Sequence, residues 1–315
     1  MNIKEVTING KFPLSGTLTI PTKKRGTYPA VLIISGSGKG DRDGNFKKLN
    51  LNVYKDLAEF LTMNGFITLR YDKRGTYKSG GNYFETGLND LIDDAVEAVK
   101  FLQNVDRIDR DKIFILGHSE GALIAPALYG KIDVSGLILL AGAARTSKEL
   151  SEMQIDQMYA EMKKTTGIKG VLFRLLKVPE KLKKQNKKII EKIKESDQPV
   201  IRVKGVRINA KWMRETLDYD VCKHLRKVTC PVLAVSGGKD VQVPPEDAEK
   251  IAEFVQGEVE WHIIDDMNHI LRKFEGNHTF LNLMKEYKSQ LGQQIDRELL
   301  NLINTWLNKH VEKLI

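Results

Sequence analysis

The chain has 315 residues, 41% hydrophobic and 29% charged, which is enough apolar material for one large domain or a domain with an insertion and excludes a chain too polar to fold. No apolar run reaches bilayer-spanning length, and the opening MNIKEVTINGKF lacks the basic-then-apolar layout of a secretory signal, so a cytoplasmic protein is expected. The net charge of +9 belongs to one stretch: residues 145–225 hold twenty Lys/Arg and eleven Asp/Glu, and the remainder balances at thirty of each.

In chain order, VTING and SGTLTIP read as short strands, and YPAVLII as a buried strand that enters the glycine-rich loop Ser35-Gly36-Ser37-Gly38-Lys39-Gly40-Asp41-Arg42-Asp43-Gly44. Residues 53–63 suit a helix stopped by Asn64-Gly65, followed by the strand FITLRYD. DLIDDAVEAVKFLQN spaces Leu91, Ile92, Ala95, Val96, Val99 and Leu102 as one helix face. KIFILG is then a buried strand running into the helix of GHSEGALIAPAL, and GLILLAGAA is the next strand. Nearly continuous apolar strands alternating with helices indicate a mostly parallel sheet covered on both faces, with an antiparallel opening.

That rhythm breaks after Ala144 and resumes at CPVLAVSGGKD, a helix over 245–255, the strand VEWHIID and closing amphipathic helices. Residues 1–144 and 226–315 are therefore expected to form an α/β core, with 145–225 an inserted helical, lysine-rich cap. KVPEKLKKQNKKIIEKIKES has amphipathic spacing without interleaved aromatics, so it reads as a solvated helix face and no nucleic-acid partner is expected. Cys222 and Cys230 lack companions at zinc spacing and read as reduced and structural.

The chemistry concentrates at Gly117-His118-Ser119-Glu120-Gly121, a G-x-S-x-G pattern in a strand-to-helix passage. Such a turn lifts a serine hydroxyl to the C-terminal sheet edge, and the following helix points its positive end at the site. A serine hydroxyl needs a base, and the base needs an acid to fix its tautomer. Asp240 follows the strand PVLAVSGGK and His269 follows VEWHIID, in the order acid then histidine. Asp265 and Asp266, close to His269, are competing acids. His118 stands beside the serine, but its side chain should point elsewhere. The backbone amides of Glu120 and of Ser37, with Gly38 as the alternative to Ser37, are the candidate oxyanion donors. Neither phosphate-loop pattern is satisfied by the glycine-rich loop.

Four stretches carry a resemblance: Gly36-Ser-Gly-x-Gly-Asp41-Arg42-Asp43, Arg70-Tyr71-Asp72-Lys73-Arg74-Gly75, Gly117 to Gly121, and the settings of Asp240 and His269. Together they resemble bacterial α/β-hydrolases of the dipeptidyl-aminopeptidase and acylaminoacyl-peptidase-like esterase branch, including cinnamoyl- and feruloyl-esterase-like enzymes. The resemblance implies the α/β-hydrolase fold, a Ser119–Asp240–His269 triad, and hydrolysis of short-chain or aryl carboxylic esters without a cofactor. It also implies a monomer or homodimer, with Gly36, Gly38, Asp41, Arg42 and Arg74 bracing the site. A peptidase acting on small peptides, a thioesterase or lipase, and a catalytically silent binding protein on this scaffold are the alternatives.

Overall fold

The structure is a computed structural model and describes residues 1–23, 26–276 and 278–313. Six strands precede the break in the rhythm: β1 (Asn2–Ile8), β2 (Leu14–Ile20), β3 (Tyr28–Ile34), β4 (Ile67–Tyr71), β5 (Ile108–His118) and β6 (Gly136–Leu140). Helices α1 (Val53–Met63), α2 (Leu88–Gln103) and α3 (Glu120–Tyr129) alternate with the later ones. After β6 come α4 (Ser147–Lys164), α5 (Gly167–Leu175), α6 (Val178–Lys194), the strands β7 (Val200–Val203) and β8 (Val206–Asn209), then α7 (Ala210–Asp218) and α8 (Val221–Leu225). The chain finishes with β9 (Val232–Gly237), α9 (Asp247–Phe254), β10 (Val259–Ile264), α10 (Leu283–Ser289) and α11 (Arg297–Glu312).

Eight strands form one sheet in the order β1-β2-β4-β3-β5-β6-β9-β10. Only the β1–β2 and β2–β4 pairings are antiparallel, as the mixed opening of the sequence leads one to expect. The unbroken apolar runs have a direct cause: alternate residues of one strand enter different cores. Ala30, Leu32 and Ile34 of β3 pack with α2 and α3, while Val31 and Ile33 pack with α1 and α11. Strand β5 divides likewise, Ile113 and Ile115 against Phe114 and Leu116, so a polar residue on either face would face a core.

Between β6 and β9 the chain leaves the sheet, yet these two strands are neighbours in it. The excursion keeps a small core of its own, Ile193, Ile201 and Ala210, with Ile189 and Met213 against it. Beyond the helices expected there, it contains the antiparallel β7–β8 hairpin. IRVKGVRI alternates apolar and charged residues around Lys204-Gly205, both of which take positive φ (50° and 82°), the mark of a tight two-residue turn. The signal is real but short, and its lysine-rich surroundings read as helix. Among the described residues no helix is long and apolar enough to cross a membrane.

Candidate active site

Ser119 sits between β5 and α3 with φ 54° and ψ −114°, a conformation that L-residues avoid and that costs about 1–3 kcal/mol. Its surroundings enforce it. A Cβ on Gly117 would lie 2.2 Å from the carbonyl oxygen of Gly121, and a Cβ on Gly121 would lie 2.1 Å from that of Ile34. Gly117 is thus a steric requirement of the turn itself, and Gly121 of packing the turn against β3. The serine amide is held by the carbonyl of Leu140 at 2.9 Å, which fixes the turn to β6.

Three sequence-distant side chains meet at this edge. His269 Nε2 is 3.1 Å from Ser119 Oγ, and His269 Nδ1 is 2.7 Å from Asp240 Oδ2. The other carboxylate oxygen of Asp240 accepts from the amides of Gln242 (2.7 Å) and Val243 (3.0 Å). A carboxylate saturated in this way keeps the proton on Nδ1 and leaves Nε2 as an acceptor toward the serine hydroxyl. Asp265 and Asp266 line a separate surface cleft of about 930 Å³ that does not include Ser119.

Ser37 is exposed beside the serine, and its amide donates to no protein acceptor among the described residues. The Glu120 amide is the first of α3, a position with no intrahelical acceptor. The Glu120 side chain is buried, ion-paired to Lys73 and accepting from the Trp212 indole N–H at 2.8 Å. Lys73 also donates to the carbonyl of Gly36 at 2.5 Å.

Gly36 is clamped on its other side as well. Its amide donates to the Tyr54 hydroxyl (2.7 Å), which lies 2.9 Å from His118 Nδ1, and His118 Nε2 lies 2.8 Å from the carbonyl oxygen of His269. One proton arrangement satisfies the whole chain: Tyr54 O–H donates to Nδ1, and a neutral His118 donates from Nε2–H to the His269 carbonyl. Burial, then the neighbouring His269, pushes the His118 pKa down to about 3, which agrees with the neutral ring. His118 does not bond Ser119; it lies beneath the site and joins the glycine-rich loop to the histidine backbone. Sequence reasoning missed Tyr54, which occupies an apolar-face position of α1 and reads as core.

The remaining bracing candidates divide by distance from the serine. Asp41 accepts from the amides of Asp43 (2.9 Å) and Asn45 (2.8 Å) and so closes its own loop, where Gly38 takes φ 100°. Arg42 is buried against Asp72 at 2.7 Å. Arg74 reaches Asp90 at 2.9 Å and pairs with Asp94. Arg42 ties the glycine-rich loop to the end of β4, Arg74 ties the turn after β4 to α2, and neither lines the cavities beside Ser119.

Two cavities flank the serine. One, of about 300 Å³, is largely apolar, with Phe46, Leu49, Leu51, Ile270, Met284 and Tyr287 in its wall. The other, of about 160 Å³, is bounded by Leu123, Leu150, Gln154, Trp212 and Thr216. Four of those five wall residues follow β6, and Gln154, Trp212 and Thr216 come from α4 and α7.

A family model described as serine aminopeptidase, S33, matches residues 50–275, which include Ser119, Asp240 and His269. The chain belongs to this family. Its sheet and flanking helices are those of an α/β-hydrolase. The esterase EstD of Thermotoga maritima is 30% identical over 308 residues, covering 97% of this chain and 67% of that protein. The solved structure of Est1E from Butyrivibrio proteoclasticus superposes with a TM-score of 0.62 at 16% identity, covering 98% of this chain and 99% of that one. A proline iminopeptidase from Mycobacterium smegmatis gives 0.63 at 14% identity, over 99% of this chain and 100% of that one. At such identities the structural likeness shows the shared fold alone.

Proposed function

We propose that the protein is a serine hydrolase acting on carboxylic esters, with Ser119 the nucleophile, His269 the general base and Asp240 its orienting acid. The observation that carries this reading is the hydrogen-bonded series Ser119–His269–Asp240, at 3.1 and 2.7 Å. Ser119 Oγ attacks the ester carbonyl as its proton passes to His269 Nε2. The Ser37 and Glu120 amides take up the charge that develops on the carbonyl oxygen. His269 then returns the proton to the leaving alcohol, and water repeats the cycle to free the acid and the enzyme. Every proton in this cycle moves through the imidazole of His269, and water is the only co-substrate the cycle consumes.

Esters are favoured over aminoacyl substrates by charge. An aminopeptidase needs a free carboxylate for the substrate ammonium. Glu120 and Asp41 are the carboxylates in the walls of the two cavities. Glu120 is neutralised by Lys73, and Asp41 is turned into its own loop. The resemblance to the EstD esterase points the same way. The apolar cavity of about 300 Å³ suits a short acyl chain or an aryl ring. We read residues 145–225 as a cap over this edge, since Trp212, Gln154 and Thr216 close one side of the site.

The test pairs fluorophosphonate labelling with a panel of p-nitrophenyl esters, thioesters and aminoacyl p-nitroanilides. Ester turnover is expected to dominate, and Ser119→Ala should abolish labelling and lower kcat by about 10⁴-fold or more. Parental turnover in Ser119→Ala, or anilides cleaved faster than esters, would remove the assignment.

A further inference from the structure

Two further cavities share walls, one after the other, with the space beside Ser119. Ser37, Glu120 and Trp212 bound both the 160 Å³ cavity that reaches the serine and a neighbouring one of about 200 Å³. Tyr83, which lines the latter, is also a wall of a more open hollow of about 460 Å³. That hollow is lined by Lys39, Arg207, Tyr77, Asn82, Tyr83 and Phe84 together with small residues, and by no carboxylate.

Its two cations converge from different parts of the chain. Lys39 belongs to the glycine-rich loop after β3, and Arg207 to β8 of the excursion. Lys39 Nζ is 4.0 Å from the centroid of Phe84 and 4.5 Å from that of Tyr83, and the guanidinium carbon of Arg207 is 4.5 Å from the same Phe84 centroid. The aromatic faces hold both charges in place and reduce the conformational freedom that a ligand must otherwise remove. Neither cation makes an ion pair or a side-chain hydrogen bond among the described residues, although both share one ring. The other cations lining these adjacent cavities behave differently: Lys73 is paired with Glu120, and Arg74 with Asp90 and Asp94. Two unneutralised positive charges fixed on one aromatic, in a hollow without an acid, form the complement of an anion.

We infer that this hollow is a subsite for a carboxylate carried by the ester substrate, held between Lys39 and Arg207. The inference rests on the assignment of Ser119 as nucleophile and adds the charge class of the substrate to it. Because both cations are exposed, the attraction is screened by salt and acts mainly on KM.

Each anionic ester is to be compared with an uncharged twin. Mono-p-nitrophenyl adipate against p-nitrophenyl heptanoate places the charge on the acyl side, and p-acetoxycinnamate against p-acetoxycinnamamide places it on the alcohol side. In low salt the anionic member of one pair should show a kcat/KM about three- to tenfold higher than its twin. Lys39→Gln and Arg207→Gln should each bring the ratio toward one, Arg207→Lys should retain most of it, and about 0.5 M sodium chloride should erase it in the parent. A ratio at or below one in both pairs, or one unmoved by either neutralising variant, overturns the subsite and leaves the Ser119 assignment standing, because the neutral twins still report turnover. If no ester is cleaved, the Ser119 assignment fails, and calorimetric titration with p-hydroxycinnamate decides the subsite. Binding weakened by both neutralising variants supports it; binding no tighter than that of p-hydroxycinnamamide overturns it.

Discussion

Around Ser119 buried side chains are tied into hydrogen-bonded series that pin the backbone, whereas the excursion between β6 and β9 leaves large apolar side chains in the open. Gly36 is held through both its amide and its carbonyl, and Asp240 accepts from three donors. On α5, by contrast, Ile168 is 83% exposed and Leu175 74% exposed, and the excursion's own core is small. Under the proposed function, one region has to hold reacting atoms to within fractions of an ångström and the other has to offer walls. The difference separates the source of the chemistry from the source of selection. The sheet edge supplies the proposed triad, and the excursion supplies Trp212, Gln154, Thr216 and Arg207 to the spaces beside it.

The sharpest way to break this division is to remove the acid. Asp240→Asn preserves shape but favours the wrong histidine tautomer, and kcat is expected to fall about 10⁴-fold with KM little changed. Steady-state kinetics on a p-nitrophenyl ester, beside a circular dichroism spectrum to verify folding, measures it. A loss below tenfold would transfer the role to another carboxylate.

Next in size is the buried series beneath the site. Tyr54→Phe deletes the acceptor for the Gly36 amide and the donor to His118. A loss of about 10- to 100-fold in kcat is expected, because the loop carrying Ser37 and the histidine backbone lose their common tie. The same series sets an acid limit on stability. An unfolded His118 takes up a proton near its usual value of 6.5, and the folded one not until about 3. The unfolded state therefore binds more protons across that window, so the stability present above pH 6.5 is lost as the pH falls toward 3. His118→Gln should be less stable than the parent at neutral pH yet lose less on acidification, by up to about 1.4 kcal/mol per pH unit within the window. Urea unfolding at a series of pH values reads this directly. Parallel slopes for the two proteins would remove His118 as the titrating group.

These buried partners also mark the limit of what the sequence discloses. Ser119, Asp240 and His269 are legible because each stands just past a strand end, where chain direction alone dictates the edge of the sheet they share. The parallel direction of the central strands follows from the alternation of strand and helix. Tyr54 and His118 are 64 positions apart, and their bond depends on how α1 settles on the sheet, which no local pattern records. The Lys73–Glu120 pair is similar: the two residues are 47 positions apart, and nothing local marks them as partners until the fold buries them together. The β7–β8 hairpin did have a signal in Lys204-Gly205, masked by the helical composition around it.

A smaller effect is expected where the two regions touch. Trp212→Phe keeps the wall but removes the indole N–H from Glu120. The cost of that bond is about 1 kcal/mol, or roughly fivefold, and it should appear in KM for esters that fill the smaller cavity. An equal fall in kcat with KM unchanged would instead make Trp212 part of the chemical step.

The smallest effect expected is also the most direct test of the contrast itself. If α5 and the lysine face of α6 are solvated, substitutions there have almost no packing to lose. Leu175→Gln, and Lys184→Gln with Lys187→Gln, should each shift unfolding free energy by no more than about 0.5 kcal/mol. Leu233→Ala, in a fully buried position of β9, should cost about 2–5 kcal/mol because it opens a cavity between sheet and helices. Denaturant titration of the variants side by side gives the ratio of the two costs without needing the absolute stability. A loss of about 2 kcal/mol or more at Leu175 would place that side chain in a packed interface. The excursion would then be as tightly specified as the sheet, and the separation of chemistry from selection would no longer coincide with a separation of rigid from loosely packed structure.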